Sequence, residues 1–194
     1  MGQFSAGANN KGAGKGALVI SERTLRDAAH GEPYATLRQA SMCRGDGGFS
    51  GGGTGSAARP ASPTPPYPAP AAAPDLSIDM PTHSQQALIY RLSGDLNPLH
   101  IDPAVARQAG YGRPIFHGLG SFGIAGHALM AALCDYDPAR VRTLAARFSA
   151  PVFPGETLTI DIWRDAQPGR ATFAARVKAR DAVVMRNGEF TCAP

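Results

Sequence analysis

Two side chains able to do acid–base chemistry, Asp95 and His100, fall with Asn97 within one short segment, the run Tyr90-Arg-Leu-Ser-Gly-Asp-Leu-Asn-Pro-Leu-His. A carboxylate can accept a proton and an imidazole titrates near neutrality, so the pair suits work on a water molecule. Asn97-Pro98 favours a turn, which would aim all three side chains into one cavity. On residue types alone a capping aspartate, a turn asparagine and a surface histidine fit this segment as well, and are the commoner outcome.

A second element, Arg113-Pro-Ile-Phe-His-Gly-Leu-Gly, places Gly118 near the start of a long helix. Backbone N–H groups there are unpaired and carry the positive end of the helix dipole. With no side chain in the way, such an N–H can reach a carbonyl oxygen and stabilise an enolate-like transition state. A simple helix-start glycine is the plainer alternative. His117, Arg113, Ser121 and Phe122 flank this glycine and are candidates for lining a substrate. Ser121 has no visible partner to make it a nucleophile. His117 and His127, ten residues apart, are too distant along one helix for a shared ligand site and read as packing groups or as groups behind the site. Gly12-Ala-Gly-Lys-Gly-Ala lacks the spacing of a phosphate loop.

The elements that must position these groups can be read from residue 76 onward. Thr82 and Gln85 have capping-box spacing before Ala87-Leu-Ile-Tyr-Arg-Leu, which predicts a short helix. Asp102 as cap, Pro103 at the first position and Gly110 as stop predict a second. Apolar residues at helical spacing predict a long helix over 114–133, although Gly118, Gly120, Gly123 and Gly126 lie within it. Strand signals follow at 142–148, 156–164, 171–177 and 182–192, punctuated by Pro154-Gly155, Pro168-Gly169 and Asn187-Gly188. One long helix and an antiparallel meander predict an α+β fold with the helix packed on a curved sheet.

Towards the N-terminus, residues 16–43 read as two strands around an Asp27–Pro33 turn, a loose echo of residues 169–192. Between these regions lie seven glycines from Gly45 to Gly55 and seven prolines from Pro60 to Pro74, which mark a linker over 46–75. The net charge of +4 comes from scattered basic residues, which argues against nucleic-acid binding. Cys43, Cys134 and Cys192 are odd in number and form no CxxC pair, so neither a disulfide framework nor a zinc site is expected. That usage and the lack of a secretory signal point to the cytoplasm. No apolar run reaches the roughly 20 residues of a membrane span.

The run from Tyr90 to Pro103, followed by Gly112-Arg-Pro-Ile-Phe-His-Gly, resembles the MaoC-like dehydratase family, the (R)-specific enoyl-CoA hydratases (hydratase 2). The resemblance covers residues 76–194, and its Gly-Asp-x-Asn-Pro-x-His core is specific. It implies a hot-dog fold, a long central helix wrapped by a curved antiparallel sheet. It also implies that Asp95 and His100 are the catalytic pair, placing a water for syn addition to a trans-2-enoyl-CoA. Asn97 would shape or polarise the site and the Gly118 N–H would hold the thioester oxygen, giving a (3R)-3-hydroxyacyl-CoA. No metal or redox cofactor is implied, and the expected partners are the acyl-CoA and a second copy of the chain. Longer members resemble two fused hot-dog domains, the first of which lacks the motif but helps to form the acyl site. Residues 1–45 are therefore expected to be the last strands of such a first domain, truncated at its N-terminus, with 76–194 as the hydratase domain.

Overall fold

The computed structural model describes residues 3–10, 16–43, 46–48 and 69–193. The linker expectation falls largely on 49–68, and the Gly12 loop on 11–15, both outside the described residues. The chain divides into two compact units, residues 1–64 and 65–194.

The first unit contains a three-stranded antiparallel sheet in the order β1(Gln3–Asn10), β2(Ala17–Arg26), β3(Pro33–Cys43). The expected pair of strands is present as β2 and β3, and β1 is an addition that the Gly- and Ala-rich start of the chain did not suggest. The β2–β3 turn is built by Asp27, whose Oδ1 accepts the backbone N–H of Ala29 at 2.8 Å and of His30 at 2.6 Å. Gly31, at φ 73°, completes the reversal where a side chain would be strained.

The second unit carries a five-stranded antiparallel sheet in the order β4-β6-β7-β8-β5. Its strands are β4(Leu76–Pro81), β5(Val141–Phe148), β6(Thr157–Arg164), β7(Arg170–Val177) and β8(Ala182–Cys192). The helices are α1(Gln86–Arg91), α2(Pro103–Gln108) and α3(Gly118–Cys134). This is the α+β arrangement expected from the patterning. Strand β4 was not anticipated, and it joins the sheet by pairing with β6 from Leu76↔Ile162 to Pro81↔Thr157.

The core lies between α3 and one face of the sheet. Ala125, Ala128 and Leu129 from the helix meet Leu158, Ile160 and Ile162 of β6, Phe173 and Ala175 of β7, and Met185 and Phe190 of β8, all buried. Alanines and glycines on α3 bring it close to the sheet: a Cβ on Gly126 would stand 3.0 Å from Leu144 Cδ2. The opposite face of β6 carries Thr159 and Asp161, which are buried under charged neighbours. Thr159 Oγ1 donates to Asp79 at 2.6 Å, and Asp161 accepts from Arg176 and Ser77. These bonds satisfy the buried polar groups.

Three local expectations need correction. Helix α3 begins at Gly118, not 114, because Phe116 N–H bonds to Val152 O at 2.7 Å and His117 is extended, so the preceding residues run as a strand-like arm. The capping box does not form. Gln85 makes no cap, and Thr82 turns its hydroxyl to Glu156 O at 2.7 Å, tying the loop to the sheet. Asn187-Gly188 is not a turn but a bulge within β8: Asn187 takes φ 52°, and the register with β5 and β7 shifts there. A Cβ on Gly188 would meet Phe173 O at 2.5 Å.

Candidate active site

The segment between α1 and α2 is held by its own side chains. Asp95 Oδ1 accepts the Asn97 N–H at 2.9 Å, and Asn97 Oδ1 accepts the Leu99 N–H at 3.0 Å. The second bond caps a short 3-10 turn, Pro98–His100, which begins with proline as the chemistry of that position favours. Asp102 Oδ1 then accepts from Ala104 and Val105, capping α2 as the sequence predicts. Asn97 thus spends its carbonyl oxygen on the turn.

The turn delivers His100 to the arm before α3. Its Nδ1 pairs with Ile115 O at 2.8 Å. A carbonyl can only accept, so Nδ1 carries the proton of this bond and Nε2 is the ring nitrogen left for other partners. That Nε2 faces Asp95 Oδ2 at 3.7 Å, with the His100 side chain about 10% exposed and Asp95 about 44%. The gap is wider than a direct hydrogen bond, and both groups can reach a third species from it.

His117 completes the cluster. Its imidazole stacks on His100 with centroids 3.7 Å apart, and Tyr90 packs edge-on at 4.8 Å. His117 is buried, and neither ring nitrogen has a hydrogen-bond partner among the described residues. Burial foremost, and then the nearby His100, hold its pKa below the ordinary imidazole value. His117 is therefore a buried ring packed directly behind His100. The residue precedes α3, so its distance from His127 along a helix is irrelevant, and its neighbour is His100. His127 instead lies by Tyr136, centroids 5.5 Å apart. No pattern of spacing marked the contact between residues 100 and 117, because it is made by tertiary folding of two loops.

Ligand atoms of Asp95, His100 and His117 all lie within 4.8 Å of one another. A divalent cation needs donors that converge on one point. In this cluster the two imidazoles stack with their planes 29° from parallel.

Gly118 is the first residue of α3, where its N–H lies outside the intrahelical ladder. It borders a cavity of about 310 Å³ whose walls include Tyr111, Ile115, Phe116, Ser121 and Phe148. Ser121 is buried there, and its hydroxyl points back to His117 O at 3.4 Å. Phe122 lies against Phe148, centroids 6.4 Å apart. Arg113 is turned elsewhere, its guanidinium 4.7 Å over the Phe153 ring. The fold therefore brings Asp95, His100, His117, Gly118 and Ser121 into one neighbourhood, with Phe122 at its edge and Arg113 in a stacking contact.

The sequence profile of the MaoC like domain matches residues 67–185. The chain is 48% identical over 178 residues to 3-hydroxyacyl-thioester dehydratase Y of Mycobacterium tuberculosis, covering 91% of this chain and 59% of that protein. It is 37% identical over 182 residues to peroxisomal enoyl-CoA hydratase 2 of Arabidopsis thaliana, covering 93% and 58%. Among solved structures, the MaoC-like dehydratase from Phytophthora capsici superposes with a TM-score of 0.81 at 37% identity, covering 99% of this chain and 64% of that one. The chain thus spans about three fifths of the length of these relatives. No helix among the described residues is long and apolar enough to cross a membrane. With the arm, the helix start and the sheet in this order, the fold is a hot-dog, and the chain belongs to the MaoC-like dehydratase family.

Proposed function

We propose that the chain carries the hydratase centre of an enzyme that adds water to a trans-2-enoyl-CoA and forms a (3R)-3-hydroxyacyl-CoA, reversibly. The observation that carries this reading is the Asp95–His100 pair, held 3.7 Å apart, with the His100 ring stacked on His117, the residue that precedes α3. A water held by both side chains gives up one proton as its oxygen bonds to C3 of the substrate. The electron pair of the double bond moves towards the thioester oxygen, where the Gly118 N–H stabilises the developing enolate. The proton then passes to C2, so the two groups return to their starting states. The chemistry is acid–base throughout and draws on no metal or redox group. The three free thiols suit a reducing compartment such as the cytoplasm.

The relatives' names, hydratase and dehydratase, support this reaction class. The test is the loss of enoyl absorbance with crotonyl-CoA. Wild-type protein should turn over, and Asp95→Ala should not. Equal rates for the two would overturn the reading.

A second reading is favoured by the 44% exposure of the Asp95 side chain and by bare apolar residues on the neighbouring loop, Leu92 and Leu96. On this reading the unit binds acyl thioesters but needs another hot-dog domain to close the site. That domain would be a separate hot-dog domain or a second copy of the chain. The reading predicts thioester binding without turnover until such a domain is supplied.

A further inference from the structure

Arg147 of β5 and Arg186 of β8 stand directly opposite each other across the antiparallel ladder. Like charges in such a cross-strand pair repel and weaken a sheet. Both residues are exposed, and no ion pair among the described residues engages either guanidinium. Two positive charges are thus held side by side with no carboxylate of the chain to offset them.

The backbone fixes this arrangement. The next pair along the ladder is Phe148↔Met185. Met185 is buried in the core and the Phe148 ring lies towards Gly118, so Arg147 and Arg186, one residue on, leave from the opposite face. On one side of the pair the bulge at Asn187 shifts the register. On the other, Ser149 is tied to β8: its N–H donates to Val184 O at 2.9 Å and its hydroxyl to Val183 O at 2.7 Å.

The two arginines line a cavity of about 540 Å³ together with Phe148, Ser149 and Asn187. Phe148 and Ser149 also wall the cavity at Gly118, so the two spaces adjoin. Phe148 is the last residue of β5. A ligand whose reacting end lies at the Gly118 N–H can therefore round the end of the strand and reach both guanidinium groups. Such a ligand needs a flexible stem and an anionic head. Planar guanidinium forks match the oxygens of phosphate closely.

We infer that Arg147 and Arg186 form the subsite that holds the phosphate groups of the CoA nucleotide, with the pantetheine arm passing Phe148 to the thioester at Gly118. The inference rests on the reading of the substrate as a CoA thioester. Bound phosphate offsets the repulsion between the two arginines, so the site is paired only when it is occupied. Discrimination between CoA and a bare pantetheine thioester is then made at this pair, remote from Asp95 and His100.

The experiment measures CoA affinity of the whole chain by titration calorimetry. Wild-type protein should bind CoA, and inorganic pyrophosphate should compete. Arg147→Gln and Arg186→Gln should each weaken CoA binding by roughly tenfold or more, and Arg186→Lys by less than Arg186→Gln. Raised salt should weaken the wild type more than either Gln variant. Thermal midpoints of the Gln variants should equal or exceed that of the wild type, since a repulsive pair is removed. In turnover, the KM for crotonyl-CoA should rise with kcat retained, and crotonyl-pantetheine should be handled alike by all the proteins. Unchanged CoA affinity in both Gln variants, or no binding of CoA by the wild type, would overturn the inference. The hydratase reading fails separately: CoA affinity that depends on the arginines, with equal turnover by wild type and Asp95→Ala, keeps the subsite and removes the chemistry.

Discussion

The imidazoles of His100 and His117 lie face to face, centroids 3.7 Å apart and planes 29° from parallel, and of the two rings only that of His100 has a hydrogen-bond partner among the described residues. His117 is thus a buried polar ring held in place by stacking, directly behind the group proposed to act on water. An unsatisfied buried polar group costs on the order of 1–3 kcal/mol. His117→Phe keeps the stack and removes that cost. It should raise stability by about 1 kcal/mol in urea unfolding and lower hydratase activity. A less stable and equally active variant would show that the ring is merely structural.

The same ring sets a pH dependence of stability. The folded-state pKa of His117 lies below the ordinary imidazole value near 6.5, so below that pH the unfolded chain binds more protons than the folded one. Stability is then fully present above about 6.5 and is lost as pH falls from there towards the folded pKa. Denaturant midpoints measured from pH 8 to 5 should fall below about 6.5 for the wild type and fall less for His117→Phe.

Replacing either member of the Asp95–His100 pair tests the chemistry without disturbing the core. Asp95→Asn keeps an oxygen to accept the Asn97 N–H and loses the charge. Turnover of crotonyl-CoA should fall by roughly 10²–10⁴-fold, with a thermal midpoint close to that of the wild type. His100→Ala should show a similar loss of turnover.

Gly118→Ala separates fit from function. The added methyl would sit 3.6 Å from the Phe148 ring, an ordinary contact, so the fold should accept it. The methyl would, however, stand beside the N–H that a thioester oxygen must reach, and kcat should drop by about 10²-fold or more. A variant with unchanged kcat would remove Gly118 from the mechanism.

The glycines of α3 and β8 should differ sharply in what they tolerate. A Cβ on Gly123 meets nothing within 4 Å, so Gly123→Ala should stabilise the protein by about 0.5–1 kcal/mol. A Cβ on Gly188 would collide with the Phe173 carbonyl at 2.5 Å, and Gly188→Ala should lower the midpoint by several degrees. Thermal unfolding of the two variants checks both.

The long helix and the strands over 141–192 were legible because their apolar spacing is dictated by burial on one face. Asp102 was legible as a cap because capping is local. The elements that were missed depend on distant partners. Thr82 abandons a capping box for Glu156 O, a group far along the chain, and β4 is a strand because β6 offers it an edge. Asn187-Gly188 has the composition of a turn, and it becomes a bulge because both flanking segments are paired in the sheet. The grouping of Asp95 with His100 could be read from the motif. The stacking of His117 on His100 could not, since the folding of two loops brings that pair together.

The anchoring of Phe116 to Val152 has a kinetic consequence. Asp95, Asn97, His100, His117 and Gly118 are near neighbours in sequence, so their loop has low contact order and can organise early. The arm that carries His117 is pinned by a residue from beyond β5, and the sheet closes through distant pairs such as Leu76↔Ile162 and Val141↔Cys192. During refolding, secondary structure of the loop should therefore precede the cavity, and competence to bind a thioester should be among the last properties regained.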